Sequence, residues 1–220
     1  MGRRPGPVPG GGRGLECPRP RCPGALPGLS AVPYGSVPPR STPAADSAVL
    51  HSRVVEERAQ FWGMNGASRE LVQEIYEDVD RRDTHHAYMV RLDGEPVALF
   101  QRYEPTEDRV SYCYEVREGD IGVHLMLAPA AGRPRPGFSR TLIGSLTRFA
   151  FRDPAVLRAV AEPDASNAKA LALLNRLGFV RHIEITLPEI DLPEVYLPEE
   201  RAVLAFLDRP AALPPAVTHA

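Results

Sequence analysis

The chain has 220 residues, of which 43% are hydrophobic and 25% charged, so it is long enough to bury one substantial core. Its net charge of −2 and its pI near 6.3 lack the clustered excess of Lys and Arg that nucleic-acid phosphates require, which excludes a general nucleic-acid binder. No stretch approaches the roughly twenty apolar residues of a membrane span, and no apolar signal-peptide core follows the early arginines. We therefore expect a cytoplasmic protein without a membrane partner, which acts on small molecules or on another protein.

The first fifth of the chain differs from the rest in composition. Residues 1–48 are dominated by Pro, Gly, Arg and Ser without an apolar period, which predicts a disordered segment. Residues 49–210 are predicted to form one folded domain, and residues 211–220 a flexible C-terminal tail. Cys17 and Cys22 lie in the first segment without a second pair of ligands, so no metal site is predicted there.

The first half of the folded part combines helices with a sheet. The sequence predicts a helix over residues 52–59 and a second helix that Ser68 caps. Asp93-Gly94, between two alternating apolar runs, predicts a β-hairpin. Further apolar runs at residues 110–116 and 121–128 continue the sheet, so four antiparallel strands are expected before the first crossover.

That crossover is a Gly/Arg/Pro-rich turn that opens a helix with Leu142, Leu146 and Phe149 on one face. The start of this helix, at Gly137, exposes unpaired amides that favour an anion such as a diphosphate. A strand at 157–161, a helix from a Ser166 cap to a stop at Gly178, and strands at 179–187 and 202–207 follow. We interpret the acidic stretch 184–200 mainly as a solvated loop. The fold class is therefore α/β.

Two side chains stand at the ends of neighbouring strands, beside the proposed phosphate loop. His124 lies in the segment Asp120-Ile-Gly-Val-His, and Asp164 in Glu-Pro-Asp-Ala-Ser-Asn, which ends at Asn167. An imidazole is suited to remove a proton from an attacking nucleophile, and a carboxylate can orient it. The backbone amides of the strand from Leu125 to Leu127 can donate to a developing oxyanion. This order indicates a small acyl-transfer enzyme, with a core histidine and a helix-capping aspartate as the alternative. The adjacent His85 and His86 point to opposite faces of a strand and are not expected to share a metal.

These motifs resemble the GNAT acetyltransferases, and more narrowly their siderophore-biosynthetic branch. The resemblance covers roughly residues 54–207 and rests on Phe61-Trp-Gly-Met64, Asp93-Gly-Glu-Pro96, the His124 and Asp164 motifs, and Phe149-x-Phe-x-Asp-Pro154. It implies a single GNAT-type domain with a mixed, splayed central sheet flanked by helices. The implied reaction is acylation of hydroxylysine, hydroxyornithine or hydroxycadaverine by acetyl- or succinyl-coenzyme A to give a hydroxamate.

The resemblance also implies which residues form the site. His124 and Asp164 would be catalytic, with Asp164 orienting the imidazole or holding the substrate hydroxyl. The residues expected to contact the acyl-coenzyme A are Leu125, Leu127, Arg133, Arg135, Gly137, Phe138, Ser139, Arg140 and Asn167.

The chain also departs from the family pattern. Pro134 and Ser139 replace the first and last residues of the usual pyrophosphate loop, and Leu174 stands where many relatives carry a tyrosine that protonates the leaving thiolate. Two other functions stay open. One is acetylation of another small amine, such as an aminoglycoside, and the other is a non-catalytic acyl-coenzyme A-binding module that regulates a partner.

Overall fold

The computed structural model describes residues 40–129, 137–192 and 195–210. Its α-helices are α1 (Pro43–Val54), α2 (Arg69–Arg81), α3 (Phe138–Ala150) and α4 (Ala168–Leu177). Its strands are β1 (His85–Leu92), β2 (Glu95–Tyr103), β3 (Asp120–Leu127), β4 (Arg158–Ala161), β5 (Val180–Leu187), β6 (Ile190–Leu192), β7 (Val195–Leu197) and β8 (Glu200–Asp208). Short 3₁₀ helices span Glu57–Trp62, Pro105–Glu107 and Arg109–Tyr112.

Six strands form one mixed sheet in the order β1-β2-β3-β4-β8-β5, and β6 and β7 form a separate hairpin. All neighbouring strands in the large sheet are antiparallel except β3 and β4, which are parallel and joined through α3. The predicted α/β domain with a mixed sheet flanked by helices is confirmed.

Helices cover both faces of the sheet, and alternation along each strand decides which side chains meet them. On one face, α1 and α2 bury Leu50 and Tyr76 against β1 and β2 residues such as Leu99. On the other face, α3 packs against Tyr88 and Phe100, and its predicted apolar residues Leu142, Leu146 and Phe149 are all buried there. Within the described residues, no helix combines the length and apolar character needed to cross a bilayer.

Three local signals in the sequence predicted their elements well. Asp93 and Gly94 both adopt positive φ, 52° and 87°, and they connect β1 to β2 as a tight hairpin requires. The Ser68 side chain accepts a hydrogen bond from the amide of Leu71 and caps α2. Gly178 ends α4 in the left-handed conformation, as expected.

The first helix lies earlier in the chain than the sequence analysis placed it. α1 begins at Pro43, in front of the predicted boundary at residue 48, and a 3₁₀ helix follows in place of the helix expected at 52–59. A proline in the first turn and Asp46, whose carboxylate accepts from the amide of Thr42, start the helix. Its Pro, Ala and Ser content resembles the preceding segment, which hid this start. Residues 1–39 and the tail 211–220, with Cys17 and Cys22, lie outside the described residues.

The strand predicted at residues 110–116 is wrong. Asp108 accepts a hydrogen bond from the amide of Val110 and starts a 3₁₀ helix, Arg109–Tyr112. Val110 is buried, but Tyr112 is 82% exposed, so the alternating apolar residues do not share a sheet face. Three antiparallel strands, rather than four, therefore precede the crossover.

Two smaller differences concern the second half. The α4 cap is Asn167, whose side chain accepts from the amide of Ala170, and not Ser166. The stretch predicted as a solvated loop holds the end of β5, the β6–β7 hairpin and the start of β8. Arg109 fixes this hairpin by donating to the carbonyl of Pro198 and pairing with Glu200 at 2.7 Å.

The position of α1 generates a prediction about truncation. We expect a chain of residues 40–220 to keep its cooperative thermal transition, and a chain of residues 49–220 to lose about 2–3 kcal/mol of unfolding free energy. The longer deletion removes the amide of Ser41, which donates to Ala87 O, and Asp46, which pairs with Arg91 at 2.6 Å. Thermal melts of both chains, with Asp46→Ala in the longer one as control, measure the loss. Equal melting temperatures would contradict it.

Candidate active site

The candidate site begins where β3 and β4 part. β3 pairs in parallel with β4 from Asp120 to Gly122 only, while its antiparallel pairing with β2 continues to Leu127. Among the described strands, none pairs with the β4 side of residues 123–127. The sheet therefore opens into a notch, which is the splay that the family resemblance implied.

A buried ion pair joins β3 and β4 two residues before the notch. Arg158 of β4 donates to both carboxylate oxygens of Asp120, at 2.7 Å and 2.6 Å, and their side chains are 8% and 1% exposed. The hydroxyl of Tyr114 also donates to Asp120, and the guanidinium of Arg158 lies over the ring of Phe206. The first residue of the His124 motif thus joins the two strands at the first of their three paired positions, two residues before the pairing ends at Gly122.

Backbone amides of β3 point into the notch. The amide of Ala128 donates to Val97 O on β2 at 2.9 Å. Because successive amides in a strand point to opposite sides, those of Leu125 and Leu127 are directed away from β2. This direction is the one that their predicted role as donors to an oxyanion requires.

His124 lies at the edge of the notch and contacts two acceptor oxygens. Its Nδ1 is 3.2 Å from Oε1 of Gln101, which is its register partner on β2, and its Nε2 pairs with Oε1 of Glu162. The His124 side chain is 37% exposed, whereas that of Glu162 is 5% exposed. The imidazole is therefore accessible from solvent while the carboxylate that holds it is not.

The pKa of His124 is raised above its ordinary value of 6.5. Burial alone would lower the pKa, because it disfavours the imidazolium. The charge and hydrogen bond of Glu162 outweigh that effect, and the carboxylates of Asp108 and Glu200 add to it. Both nitrogens of an imidazolium are donors, and each faces an acceptor oxygen here, so the site stabilises the protonated form of His124.

The carboxylate beside His124 is Glu162, two residues before the predicted Asp164. Oδ1 of Asp164 accepts from the amide and hydroxyl of Ser166, so this side chain shapes the turn before α4. The register of β3 against β4 explains why Glu162, and not Asp164, contacts His124. Gly122 pairs with Val160, so a step of two residues along each strand brings His124 and Glu162 to the same face. The alternation of β4 was the signal that could have identified Glu162.

Aromatic residues that the sequence analysis did not assign to the site surround the imidazole. The Tyr103 ring lies 5.0 Å from that of His124, between centroids. The Trp62 ring meets it edge-on at 6.1 Å, and its indole N–H donates to the hydroxyl of the buried Tyr76. Trp62 of the Phe61-Trp-Gly-Met64 motif, which entered the sequence analysis only as part of the family resemblance, thus also lines the site.

The predicted phosphate site is described in part. Gly137 precedes α3 with φ +78°, and no atom of the described residues lies within 4 Å of the position that its Cβ would take. Phe138, Ser139 and Arg140 form the first turn, whose amides have no acceptor within the helix and favour an anion. The predicted Arg133 and Arg135 lie outside the described residues. Asn167 faces the α4 backbone as its cap, and Leu174 packs against the core beside α3.

Comparison with known proteins identifies the family. The acetyltransferase (GNAT) domain family matches residues 42–187, and the chain belongs to this family. It is 30% identical over 104 residues to N-hydroxyputrescine acetyltransferase of Acinetobacter baumannii, covering 47% of this chain and 48% of that protein. It is 29% identical over 134 residues to aminoglycoside N(6')-acetyltransferase type 1 of Klebsiella pneumoniae, covering 59% and 66%. The chain thus spans between about half and two thirds of the length of these relatives.

Solved structures share the fold. Aminoglycoside acetyltransferase AAC(6')-Ib in complex with coenzyme A superposes with a TM-score of 0.60 at 24% identity, over 78% of this chain and 93% of that one. Spermidine N-acetyltransferase from Vibrio cholerae, with coenzyme A and spermine, gives 0.54 at 16% identity, over 74% and 90%.

Proposed function

We propose that the protein is an acyl-coenzyme A-dependent N-acyltransferase that acylates an N-hydroxylated amine. The observation that carries the reaction class is the accessible His124, held by a buried carboxylate at the edge of the notch between β3 and β4. Membership of the GNAT family and fold neighbours solved with coenzyme A support the donor. Either acetyl- or succinyl-coenzyme A fits this proposal.

The chemistry follows from the side chains. The amine nitrogen attacks the thioester carbonyl, the carbon–sulfur bond breaks, and the coenzyme leaves as a thiolate that takes a proton from water. Glu162 keeps a proton on Nε2 of His124, so Nδ1 accepts the proton that the nucleophile loses, in place of its contact with Gln101. The amides of Leu125 and Leu127 donate to the oxyanion of the tetrahedral intermediate.

A hydroxylated amine suits a site in which the imidazole of His124 serves as the base. A hydroxylamine nitrogen is uncharged near neutral pH, so the enzyme needs to orient it and remove one proton, whereas an alkyl ammonium must first be deprotonated. The motifs around His124 and Asp164, and the partial identity to an N-hydroxyputrescine acetyltransferase, favour this acceptor.

An aminoglycoside or another polyamine is the second candidate. The longer match to aminoglycoside acetyltransferases and the carboxylates of Glu162, Asp108 and Glu200 around His124 favour a polycationic acceptor. Steady-state release of coenzyme A across hydroxycadaverine, hydroxyputrescine, their unhydroxylated parents and kanamycin separates the two. Equal turnover of a diamine and its hydroxylated form would exclude the hydroxamate assignment.

Glu162 and Asp164, the two candidates for the catalytic carboxylate, can be distinguished by mutation. We expect His124→Ala to lower kcat by roughly 10²–10⁴-fold, as for loss of an acid–base group, and Glu162→Gln to follow in the same direction. Asp164→Asn keeps the oxygen that accepts from Ser166, so a loss below about tenfold is expected. Rates and thermal melts are measured for all three. If Asp164→Asn is as inactive as His124→Ala, the catalytic carboxylate is Asp164, as the resemblance implied.

The raised pKa of His124 predicts the pH dependence. A base must be neutral to accept a proton, so kcat/KM rises with pH through the raised pKa of His124, above 6.5. In Glu162→Gln the favourable charge is gone and burial remains, so this acid limb moves to lower pH. Profiles of kcat/KM for both proteins from pH 5 to 9 measure the shift. An acid limb at the same pH in both would contradict the pairing of His124 with Glu162.

The start of α3 predicts the donor site. Gly137→Val places a β-branched side chain at φ +78°, which costs about 1–3 kcal/mol and distorts the first turn. We expect the KM for acyl-coenzyme A to rise roughly tenfold with little change in the KM of the amine. Gly144→Ala, at an open position inside the same helix, is the matched control. Unchanged donor affinity in Gly137→Val would place the coenzyme elsewhere.

A further inference from the structure

Tyr103 packs against the imidazole of His124 from the neighbouring strand β2. It is the last residue of β2, is 3% exposed, and pairs in register with Gly122, two residues before His124. A Cβ at Gly122 would overlap Cζ, Cε1 and Cε2 of the Tyr103 ring. The hydroxyl end of the ring therefore lies directly over the β3 backbone, and only glycine admits it there.

The ring is held between two imidazoles. It stacks on His85 at 5.7 Å with an interplanar angle of 17°, and it meets His124 at 5.0 Å from the other neighbouring strand. His85 is itself fixed by Thr84, at 3.0 Å from its Nδ1, and by Asp108, at 4.0 Å from its Nε2. Side chains from β1, β2 and β3 thus determine where the phenol points.

The carboxylate that holds His124 is close enough to the Tyr103 hydroxyl to affect its pKa. Oη of Tyr103 and Oε2 of Glu162 are both buried, and neither has a hydrogen-bond partner among the described residues. Burial raises the pKa of Tyr103 well above its ordinary value, and the Glu162 carboxylate raises it further. The phenol therefore stays protonated, and it is the available donor for the second oxygen of Glu162.

We propose that Tyr103 is a positioning residue for acyl transfer, whose ring forms the floor under His124 and whose hydroxyl donates to Glu162 and fixes the carboxylate that orients the imidazole. The inference rests on the proposed function. It also gives Gly122 of the Asp120-Ile-Gly-Val-His motif a role, because its missing side chain makes room for the phenol.

The test uses Tyr103→Phe, which keeps the ring and removes only the hydroxyl. We expect kcat to fall roughly tenfold, with the KM for acyl-coenzyme A and the melting temperature nearly unchanged. The carboxylate that has lost a donor attracts the imidazolium proton more strongly. The pKa of His124, measured by NMR titration of the free protein, should therefore rise. The other charged groups near His124, Asp108 and Glu200, and the neighbouring His85 are the same in both proteins.

Tyr114→Phe is the matched control. Tyr114 packs in the same cluster as Tyr103, but its hydroxyl donates to Asp120. We expect this variant to lose some stability and to keep both kcat and the pKa of His124.

A second control compares Gly122→Ala in the wild type and in Tyr103→Ala. The added methyl should cost activity in the first and little more in the second, where the ring is absent.

The outcomes separate the two proposals. A Tyr103→Phe protein with unchanged kcat and an unchanged or lowered pKa of His124 would overturn the role of Tyr103 while leaving acyl transfer intact. A wild-type protein that acylates none of the amines would overturn the proposed function, and the NMR titration would still decide whether Tyr103 acts on Glu162.

Discussion

The site depends on one constraint, which is that β3 and β4 must be tightly joined up to Gly122 and separate immediately after it. The Asp120–Arg158 pair supplies the join, since it connects the two strands through a buried bidentate contact at the first of their three paired positions. Without that contact, the separation could move along the strands, and His124 would change its distance from Glu162. The position of the imidazole therefore follows from a charged pair that takes no part in the proposed chemistry.

Asp120 and Glu162 are buried carboxylates on either side of the place where β3 and β4 separate, and their hydrogen bonds differ. Asp120 accepts from Arg158 twice, from the hydroxyl of Tyr114 and from the amide of Arg117, so the cost of burying its charge is offset within the fold. Glu162 has His124 on one oxygen and no hydrogen-bond partner among the described residues on the other. A fully satisfied carboxylate holds strands together, whereas a partly satisfied one stays sensitive to changes at its partner. This contrast is why we assign Asp120 to structure and Glu162 to the site.

How much the sequence predicts depends on whether a signal is local. Asp93-Gly94, Ser68 and Gly178 determine their own backbone, and the hairpin, cap and helix end were predicted correctly from them. His124 was also placed correctly on a strand, but its contact with Glu162 was not foreseen, because this contact depends on the register of β3 against β4. The 3₁₀ helix after Asp108 was missed for the opposite reason, since a single side-chain cap overrode an alternating apolar pattern.

The faces of the sheet explain why the notch is needed for the proposed reaction. Gln101 and Tyr103 share a strand face with Leu99, which packs under α1 and α2, so His124 lies on that side. α3, whose first turn is the proposed diphosphate site, packs on the other side against Tyr88 and Phe100. A continuous sheet would keep a donor bound at α3 apart from an amine beside His124. Past the last β3–β4 pair, the amides of Leu125 and Leu127 face no described strand, so the proposed reaction would bring the thioester and the amine together at this notch.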